Sequence, residues 1–387
     1  MSYMNNRELE EPKIHIQGDG NIIGDHNVVT VNKQGDGGRN HSPLACTDLP
    51  LRAYHEFVGR SQSLTQVMNA LRNLHRLPIV AVVGLGGIGK TALAREAVER
   101  CVQEDAFDYI VWTSAKTERF VGEDIVKMGV SDYSFQELLD EIGRQCCAPE
   151  ISRLPWDEKR KAIKELLAEK RVLIVIDNIE TVPDCEVLVN EVWQILGKGK
   201  LLVTSRHHLK NEYVYTVDLT GLSRYEGVEF IKVEGAARNI EDVIQAQESI
   251  LVEICEATGG APLAIKLVIG QMSRLPMRHI LSVLQEPRFD GQDYSFYRFV
   301  FRHSWDMLTF DSRRVLVSMS AFAPTIGGTE EAIQIVSGVE EADFHEALDE
   351  LVLMSLLDPA SDLTDRRYTI HPLTNYFILS DIVKRWG

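Results

Sequence analysis

The amino-acid sequence predicts an α/β fold in which a parallel-sheet domain is followed by a helical domain and a winged-helix domain. An apolar run at Ile79–Val83 leads directly into a glycine-rich turn and then a helix, as a buried parallel strand does. Strand-like runs alternate with helical stretches up to about Thr220, which is typical of a parallel sheet covered by helices. Residues 221–285 have helical spacing without a convincing strand, and the chain ends with helices and a small hairpin.

The glycine-rich turn from Gly84 to Thr91 reads Gly-Leu-Gly-Gly-Ile-Gly-Lys-Thr, a complete phosphate-binding loop. The glycines let the backbone curl so that successive N–H groups point at a β-phosphate, at the N-terminus of the next helix. Lys90 adds a charge between the β and γ positions, and the Thr91 hydroxyl can bind Mg²⁺. A purely structural turn is the alternative, which the complete pattern between strand and helix disfavours. The predicted nucleotide contacts here are Gly84, Gly86, Gly87, Ile88, Gly89, Lys90, Thr91 and Ala92.

Two later strand ends are expected to complete an ATP site. Val172–Ile176 leads into Asp177, a candidate Mg²⁺ ligand or, alternatively, a strand-end cap. Glu180 lies farther out and is a candidate for orienting the attacking water or a plain surface carboxylate. Arg206 follows the run Leu201–Thr204 and suits a γ-phosphate because its fork binds phosphate through two nitrogens, although it could be a surface arginine. The predicted catalytic residues are Lys90, Asp177, Glu180 and Arg206, and the predicted metal ligands are Thr91 and Asp177.

The chain divides into four predicted parts. These are residues 1–42, a β-prone segment and linker; 43–220, a nucleotide-binding domain; 221–292, a helical domain; and 293–387, a winged-helix domain. The second part has predicted strands at Ile79–Val83, Tyr109–Thr113, Val172–Ile176 and Leu201–Thr204, with helical segments such as Phe135–Cys146 and Glu158–Glu169. The last part has predicted helices near Phe310–Met319, Glu330–Val336 and Glu341–Leu353, then strands at Ser355–Asp358 and Tyr368–Ile370.

Charge and composition exclude several classes of protein. The formal net charge of −16, with scattered Lys and Arg residues, predicts no general affinity for nucleic acid or membranes. No stretch approaches the roughly 18 apolar residues of a membrane span, and no secretion leader is visible. Six cysteines show no paired ligand spacing, which suits neither a zinc site nor a simple disulfide framework. We therefore expect a cytoplasmic protein.

The order of motifs resembles the nucleotide-binding core of apoptotic, plant-resistance and bacterial signalling ATPases, the NB-ARC branch of the STAND class of P-loop NTPases. The resemblance covers about residues 55 to 380. By resemblance, Val58 and Arg60 lie near the adenine, Pro262 packs on its ring, Arg206 senses the γ-phosphate, and His371 contacts the β-phosphate of ADP in a closed state. Besides the phosphate loop, it rests on Phe57-Val58-Gly59-Arg60, Phe107-Asp108-Tyr109-Ile110-Val111-Trp112, the Asp177 strand, Thr204-Ser205-Arg206, Gly221-Leu222-Ser223, Gly260-Ala261-Pro262-Leu263 and Ile370-His371-Pro372-Leu373.

Two features depart from the family pattern. Many relatives have two consecutive acids at the Mg²⁺ strand, whereas Asn178 follows Asp177 here and cannot act as a base. We therefore expect slow hydrolysis. The sequence ends at Gly387, where relatives usually continue into repeats that detect the trigger, and no period of about 20 to 50 residues recurs. The expectation is that a repeat sensor is absent or was removed.

The amino-terminal segment resembles the amyloid signalling motifs of fungal and bacterial STAND proteins, those likened to the RIP homotypic interaction motif. The match is Ile14-His15-Ile16-Gln17-Gly18 or the less regular Asn21-Ile22-Ile23-Gly24. Short β-branched segments without proline can stack in register, while Asn forms ladders and Gly and Asp form tight turns. A flexible leader with a lone hairpin is the alternative.

The resemblance implies a signalling ATPase that is held closed by ADP, opened by ATP, and uses Mg²⁺. Such a protein would form a homo-oligomer on activation and cluster its amino-terminal segments to template an effector protein with a similar motif, in defence or cell death. An ATP-dependent transcription regulator is the alternative, because a winged helix can enter a major groove. Acidic residues in the winged-helix region oppose DNA binding: Glu330, Glu331, Glu340, Glu341, Asp343, Glu346, Asp349 and Glu350.

Overall fold

The computed structural model describes residues 47–50, 52, 56–72, 77–114, 135–182, 184–284, 295–322, 327–361 and 366–383. The amino-terminal segment with the predicted amyloid motif lies outside the described residues. The boundaries of the four predicted domains stay predictions.

A parallel sheet forms the amino-terminal part of the described chain, as predicted. Its strands are β1 (Ile79–Val83), β2 (Tyr109–Ser114), β3 (Val172–Asp177), β4 (Lys200–Ser205) and β5 (Val214–Asp218), in the order β2-β3-β4-β1-β5. The first four strands agree with the predicted apolar runs to within one residue at each end. The prediction missed β5, because this edge strand is largely half-buried and lacks the continuous apolar run of the inner strands.

Helices cover both faces of the sheet. Val80 and Val82 pack in one core with the first two helices, whereas Ile79, Ala81 and Val83 pack in a second core with the next three. Successive residues of a strand point to opposite faces, so β1 contributes to both cores. The covering helices are α1 (Ser61–Arg72), α2 (Lys90–Gln103), α3 (Phe135–Gln145), α4 (Trp156–Glu169) and α5 (Cys185–Ile195).

The next segment is helical, and its described residues, 221–284, contain no strand. The predicted break at Thr258–Pro262 is confirmed, because one helix ends at Ala257 and the next begins at Pro262, a residue favoured in a first helical turn. Its helices are α6 (Arg224–Ala237), α7 (Glu241–Ile244), α8 (Glu248–Ala257), α9 (Pro262–Met272) and α10 (Met277–Leu284), followed by α11 (Ser295–Met307).

The described residues of the carboxy-terminal unit combine four α-helices with a three-stranded antiparallel sheet of order β6-β8-β7. The two strands of its hairpin have different bounds from the predicted ones. The first strand begins at Asp358 instead of Ser355, because Leu356 and Leu357 are buried in the core and Ser355 turns the chain with φ 59°. The unit contains α12 (Phe310–Ser318), β6 (Gly328–Thr329), α13 (Glu330–Ser337), α14 (Glu341–Leu353), β7 (Asp358–Ser361), β8 (Arg366–Thr369) and α15 (Pro372–Phe377).

The sequence led us to expect neither a simple disulfide framework nor a membrane span. Cys101, Cys146, Cys185 and Cys255 are free. Cys147 is disulfide-bonded, which the sequence did not lead us to expect. Within the described part of the chain, every helix is too short or too polar to cross a bilayer. The cytoplasmic location stays a prediction.

Candidate functional site

The phosphate loop runs from the end of β1 to the start of α2. Gly87 and Gly89 have φ values of 75° and 99°, which side chains other than hydrogen rarely allow. A Cβ on Gly87 would lie 2.9 Å from the Cβ of Leu263, so glycine is also required by space. The Nζ of Lys90 donates to the carbonyl oxygens of Gly84 (2.8 Å) and Leu85 (2.9 Å). The loop is therefore curled around its own lysine.

Asp177 lies at the end of β3 beside the start of α2. Its Oδ1 accepts hydrogen bonds from the hydroxyls of Thr91 (2.8 Å) and Thr204 (2.5 Å). Its side chain is buried, and its second oxygen accepts from Asn178 Nδ2 at 2.7 Å. A threonine hydroxyl and a carboxylate are the oxygen ligands that Mg²⁺ prefers, and here they meet beside the phosphate loop. The donor set therefore fits a Mg²⁺-bound nucleotide.

Asn178 orients this carboxylate. It has a φ of 58°, a left-handed conformation that asparagine tolerates better than most residues. The backbone N–H of Asn178 donates to Thr204 Oγ1 (2.9 Å), the same hydroxyl that binds Asp177. The residue that departs from the family pattern is thus part of the Asp177 hydrogen-bond network.

Arg206 and Glu180 form an ion pair, with Arg206 Nε 3.0 Å from Glu180 Oε1. Arg206 lines a cavity that is described below, whereas Glu180 does not. The structure therefore places Arg206 at the same cavity as the phosphate loop. It gives no geometric support to Glu180 as a base in this conformation, because the carboxylate faces a guanidinium instead.

Arg60 connects the phosphate loop to the helical segment. Its guanidinium donates to the carbonyl oxygens of Thr220 and Ile88, the latter at 3.0 Å. Its backbone N–H donates to Glu226 Oε1 (2.6 Å), and Glu226 also forms a capping box with Ser223 at the start of α6. Two motifs that were recognised separately in the sequence are therefore joined by Glu226, a residue that sequence reasoning missed.

Burial lowers the pKa of Arg60 to about 10, although the charge of Glu226 raises it. Arg60 therefore stays charged near neutral pH. Burial alone would raise the pKa of Glu226, but hydrogen bonds from Ser223 and the Arg60 amide, with the Arg60 charge, lower it. Glu226 is accordingly held as a carboxylate that stabilises this junction.

The start of α9 lies directly on the phosphate loop. The N–H of Leu263 donates to the Gly87 carbonyl (3.2 Å), and a Cβ on Gly89 would lie 4.0 Å from Pro262 Cγ. The chain before α9 is fixed by a hydrogen bond from Leu222 N to Gly260 O (2.7 Å). Pro262 is therefore held beside the loop, while its predicted packing on the adenine ring stays a prediction.

His371 caps α15 and lines the same cavity. Its Nδ1 accepts a hydrogen bond from the Leu373 N–H at 3.1 Å. In a neutral imidazole the other nitrogen then carries the proton, so Nε2 is a donor. The contact with Leu373 therefore favours the tautomer with its proton on Nε2.

Lys266 and Asp358 form an ion pair of 2.8 Å between α9 and β7. Burial alone would lower the pKa of Lys266, but the charges of Asp358 and Glu234, and the hydrogen bond to Asp358, raise it. Both partners line the cavity. Sequence reasoning missed this pair. Lys266 could have been found, because it lies four residues after Pro262 on the same helix face, whereas nothing in the sequence indicates Asp358.

These residues surround one cavity of about 240 Å³. Gly84 and Glu180 are the predicted site residues that do not line it, although Gly84 binds Lys90. Arg95 lines the cavity and was not predicted. The predicted residues that it brings together are Val58, Arg60, Gly86, Gly87, Ile88, Gly89, Lys90, Thr91, Ala92, Asp177, Arg206, Pro262 and His371.

Comparison with known proteins finds a matching domain family and several similar chains. Residues 60–235 match the NB-ARC domain family. The transcription activator GutR of Bacillus subtilis (strain 168) is 24% identical over 352 residues, which cover 84% of this chain and 40% of GutR. The probable disease resistance protein RF45 of Arabidopsis thaliana is 23% identical over 236 residues, covering 58% of this chain and 22% of that protein. The chain thus spans 40% or less of the length of these curated relatives.

One solved structure extends the likeness beyond the matched region. It is a signal transduction ATPase with numerous domains (STAND) from Pyrococcus horikoshii, with a tetratricopeptide repeat sensor. The TM-score is 0.55 at 19% sequence identity, and the match covers 86% of this chain and 43% of that one. At this identity the likeness concerns the fold. Together with the NB-ARC match, it shows a P-loop NTPase fold of the STAND type.

Proposed function

We propose that the chain is an ATP- and ADP-switched signalling ATPase. The observation that carries this proposal is that one cavity is lined by the phosphate loop, by α9 and by the carboxy-terminal unit. A nucleotide bound there would touch all three parts of the chain at once. A ligand shifts a conformational equilibrium only through contacts that differ between states, and this arrangement supplies such contacts.

His371 and Arg206, at two ends of the site, suggest how ADP and ATP would make different contacts with the protein. His371 Nε2 would donate to the β-phosphate and hold the carboxy-terminal unit closed. The additional γ-phosphate of ATP would compete with Glu180 for Arg206, because guanidinium binds phosphate at least as well as carboxylate. Hydrolysis would be slow, because Asn178 beside Asp177 cannot act as a base and Glu180 is paired with Arg206.

A direct test is the nucleotide and mass of the purified protein. We expect ADP to be released on denaturation of a monomer, as identified by mass spectrometry. Exchange of ADP for a non-hydrolysable ATP analogue with Mg²⁺ should then produce a larger assembly by light scattering. A protein that contains no nucleotide and binds neither ADP nor ATP in a calorimetric titration would refute the proposal.

The amino-terminal segment, which lies outside the described residues, would pass the signal on to an effector. Activation would bring these segments together in a homo-oligomer, raise their local concentration and nucleate cross-β stacking that templates an effector. A peptide covering Glu11 to Lys33 should form fibrils with cross-β diffraction, and Ile22→Asp with Ile23→Asp should prevent this. A wild-type peptide that stays monomeric at high concentration would remove the amyloid part and leave the switch.

A transcription regulator is the second candidate, because GutR matches most of this chain. The carboxy-terminal unit has the helix and strand order expected of a winged helix, in which α14 would be the helix that enters the groove. The exposed side chains of α14 include Glu341, Asp343, Glu346 and Asp349. Phosphate repulsion by this acidic face opposes DNA binding. Salt-dependent DNA binding by the purified protein would favour this candidate over the first.

A further inference from the structure

Three contacts at four-residue intervals join α9 and the turn after it to the end of α14 and the start of β7. Residues four apart on a helix lie on one face, so the contacts form a row. Basic side chains stand at both ends of the α9 side and acidic ones at both ends of the other, so the charges are complementary. We call this row the α9 latch, and its pairs are Lys266–Asp358, Gly270–Met354 and Arg274–Glu350.

The middle pair brings two backbones into direct contact. A Cβ at Gly270 would lie 2.3 Å from the backbone oxygen of Met354 and 2.8 Å from its Cα. Both residues are buried, and the Sδ of Met354 accepts a hydrogen bond from Ser273 Oγ at 3.7 Å. Because backbone atoms cannot swing aside as a side chain can, any residue larger than glycine at this position would force α9 and the end of α14 apart.

The third pair lies at the opposite end of α9 from Pro262 and the phosphate loop. Arg274 Nη2 lies 2.7 Å from Glu350 Oε1, and the Glu350 side chain is only 5% exposed. The other oxygen of Glu350 accepts hydrogen bonds from the hydroxyls of Thr309, at 2.7 Å, and Ser312, at the start of α12. Glu350 is therefore fixed within the carboxy-terminal unit, and Arg274 pairs with it from the helical segment.

Of the three pairs, the first alone lines the nucleotide cavity. Lys266 and Asp358 belong to its wall, whereas the residues of the other two pairs do not. A ligand changes a conformational equilibrium only through contacts that differ between states. Loss of the nucleotide would therefore leave the second and third pairs intact.

We propose that the α9 latch keeps the carboxy-terminal unit packed on α9 even when no nucleotide is bound. The role of the latch in activation rests on the proposed function: ATP must then overcome the latch as well as displace ADP. The latch thus stabilises the closed arrangement independently of the contact between His371 and a phosphate.

The test measures the shape of the nucleotide-free protein by small-angle X-ray scattering. Lys90→Ala, which we expect to bind no nucleotide, provides this state, and mass spectrometry of the denatured protein checks it. We expect this variant to be as compact as the ADP-bound wild type. Adding Gly270→Ala should lower the ratio of closed to open protein by about 5- to 150-fold, as overpacking of a close contact does, and increase the radius of gyration.

The matched control is Gly143→Ala in the same Lys90→Ala background. A Cβ at Gly143 would have Ile151 Cβ as its nearest atom, at 3.4 Å, which is an ordinary contact. The radius of gyration should therefore not change. In protein that keeps Lys90, saturating ADP should return Gly270→Ala to the compact shape, because ADP binds the closed arrangement.

The outcomes separate the latch from the proposed function. Expansion of the Lys90→Ala protein itself would overturn the latch, as would a Gly270→Ala protein that stays compact without nucleotide. Expansion that ADP does not reverse would indicate local unfolding and would also overturn it. A wild-type protein that binds neither ADP nor ATP would instead refute the proposed function.

A second variant carries the test if Gly270→Ala does not fold by circular dichroism. Arg274→Glu places a second carboxylate against Glu350, while Thr309 and Ser312 still hold Glu350. Like charges repel, so expansion of the nucleotide-free protein is again expected. An unchanged radius of gyration would overturn the latch.

Discussion

The two walls of the cavity are built in different ways. The phosphate wall consists of a loop and two strand ends, Gly86 to Thr91, Asp177 and Arg206, all from the parallel-sheet part of the chain. The facing wall takes Pro262 from α9 and His371 from the carboxy-terminal unit. The first wall is held by short hydrogen bonds within one sheet, whereas the second depends on how separate elements pack.

This difference indicates a division of tasks. Backbone N–H groups and strand-end carboxylates on one rigid sheet suit tight binding of phosphate and metal. Contacts between elements that are distant in sequence suit a switch, because they can be lost without unfolding the sheet. Substitutions in the phosphate wall should therefore abolish binding, while those in the facing wall should change the conformation that binding favours.

The largest effect is expected for Lys90→Ala. Lys90 supplies the main side-chain charge of the phosphate wall, and hydrogen bonds to charged groups contribute about 1.5–3 kcal/mol each. We expect ATP and ADP affinity to fall by at least about a hundredfold, with loss of oligomerisation and retained secondary structure. Calorimetry and circular dichroism measure these effects, and Lys161→Ala, at a side chain that is 78% exposed, is the control. Wild-type affinity in Lys90→Ala would show that the loop is not a nucleotide site.

Asp358→Asn tests the facing wall. Loss of one partner of a fully buried ion pair costs about 3–5 kcal/mol. Because these side chains are 13% and 19% exposed, we expect the substitution to destabilise the closed arrangement by about 1–3 kcal/mol. The equilibrium between closed and open arrangements would then change by a factor of about 5 to 150. Faster ADP release and more oligomer without a trigger should follow, measured by stopped-flow fluorescence and light scattering.

The control for this effect is an ion pair away from the cavity. Arg224 and Glu256 lie 2.6 Å apart with side chains 76% and 49% exposed. Glu256→Gln should change neither ADP release nor mass, because exposed ion pairs contribute little. If Asp358→Asn behaves like Glu256→Gln, the ion pair between α9 and β7 does not stabilise the closed arrangement.

His371→Asn separates two roles of one side chain. Asparagine is a good N-cap, so it can still accept the Leu373 N–H, but it lacks the Nε2 donor that we propose binds the β-phosphate. We expect about tenfold faster ADP release, from one lost hydrogen bond to a charged group, with the melting temperature nearly unchanged. His371→Ala should lose stability as well. Unchanged ADP release in both variants would return His371 to a purely capping role.

The smallest effect concerns pH. Because the pKa of Glu226 is lowered on folding, its charge stabilises the folded protein above its ordinary value of 4.5, and this stabilisation is lost as the pH falls through the lowered pKa. Glu226→Gln should therefore lower the melting temperature by a few degrees near pH 7 and by less near pH 3. An equal decrease at both pH values would show that packing, and not the carboxylate charge, matters at this junction.

Much of the phosphate wall was predictable because its residues are close in sequence or follow apolar strands. The loop, Asp177 and Arg206 were found in this way, and the structure places the loop from Gly86 onward, Asp177 and Arg206 at one cavity. Strand β5 was missed because it is largely half-buried and has no continuous apolar run. The first hairpin strand was predicted too early because Leu356 and Leu357 resemble strand residues but pack in the core. Periodicity does not distinguish these cases.

The sequence by itself determined the phosphate-binding chemistry and the order of the sheet, helical and carboxy-terminal parts. Local pattern is sufficient there, since a glycine loop between a strand and a helix permits few conformations. Only the tertiary structure decided that Lys266 meets Asp358 and that Glu226 joins Arg60 to α6. These contacts join residues far apart in the chain or depend on burial, and both arise from packing of whole elements that no local pattern encodes.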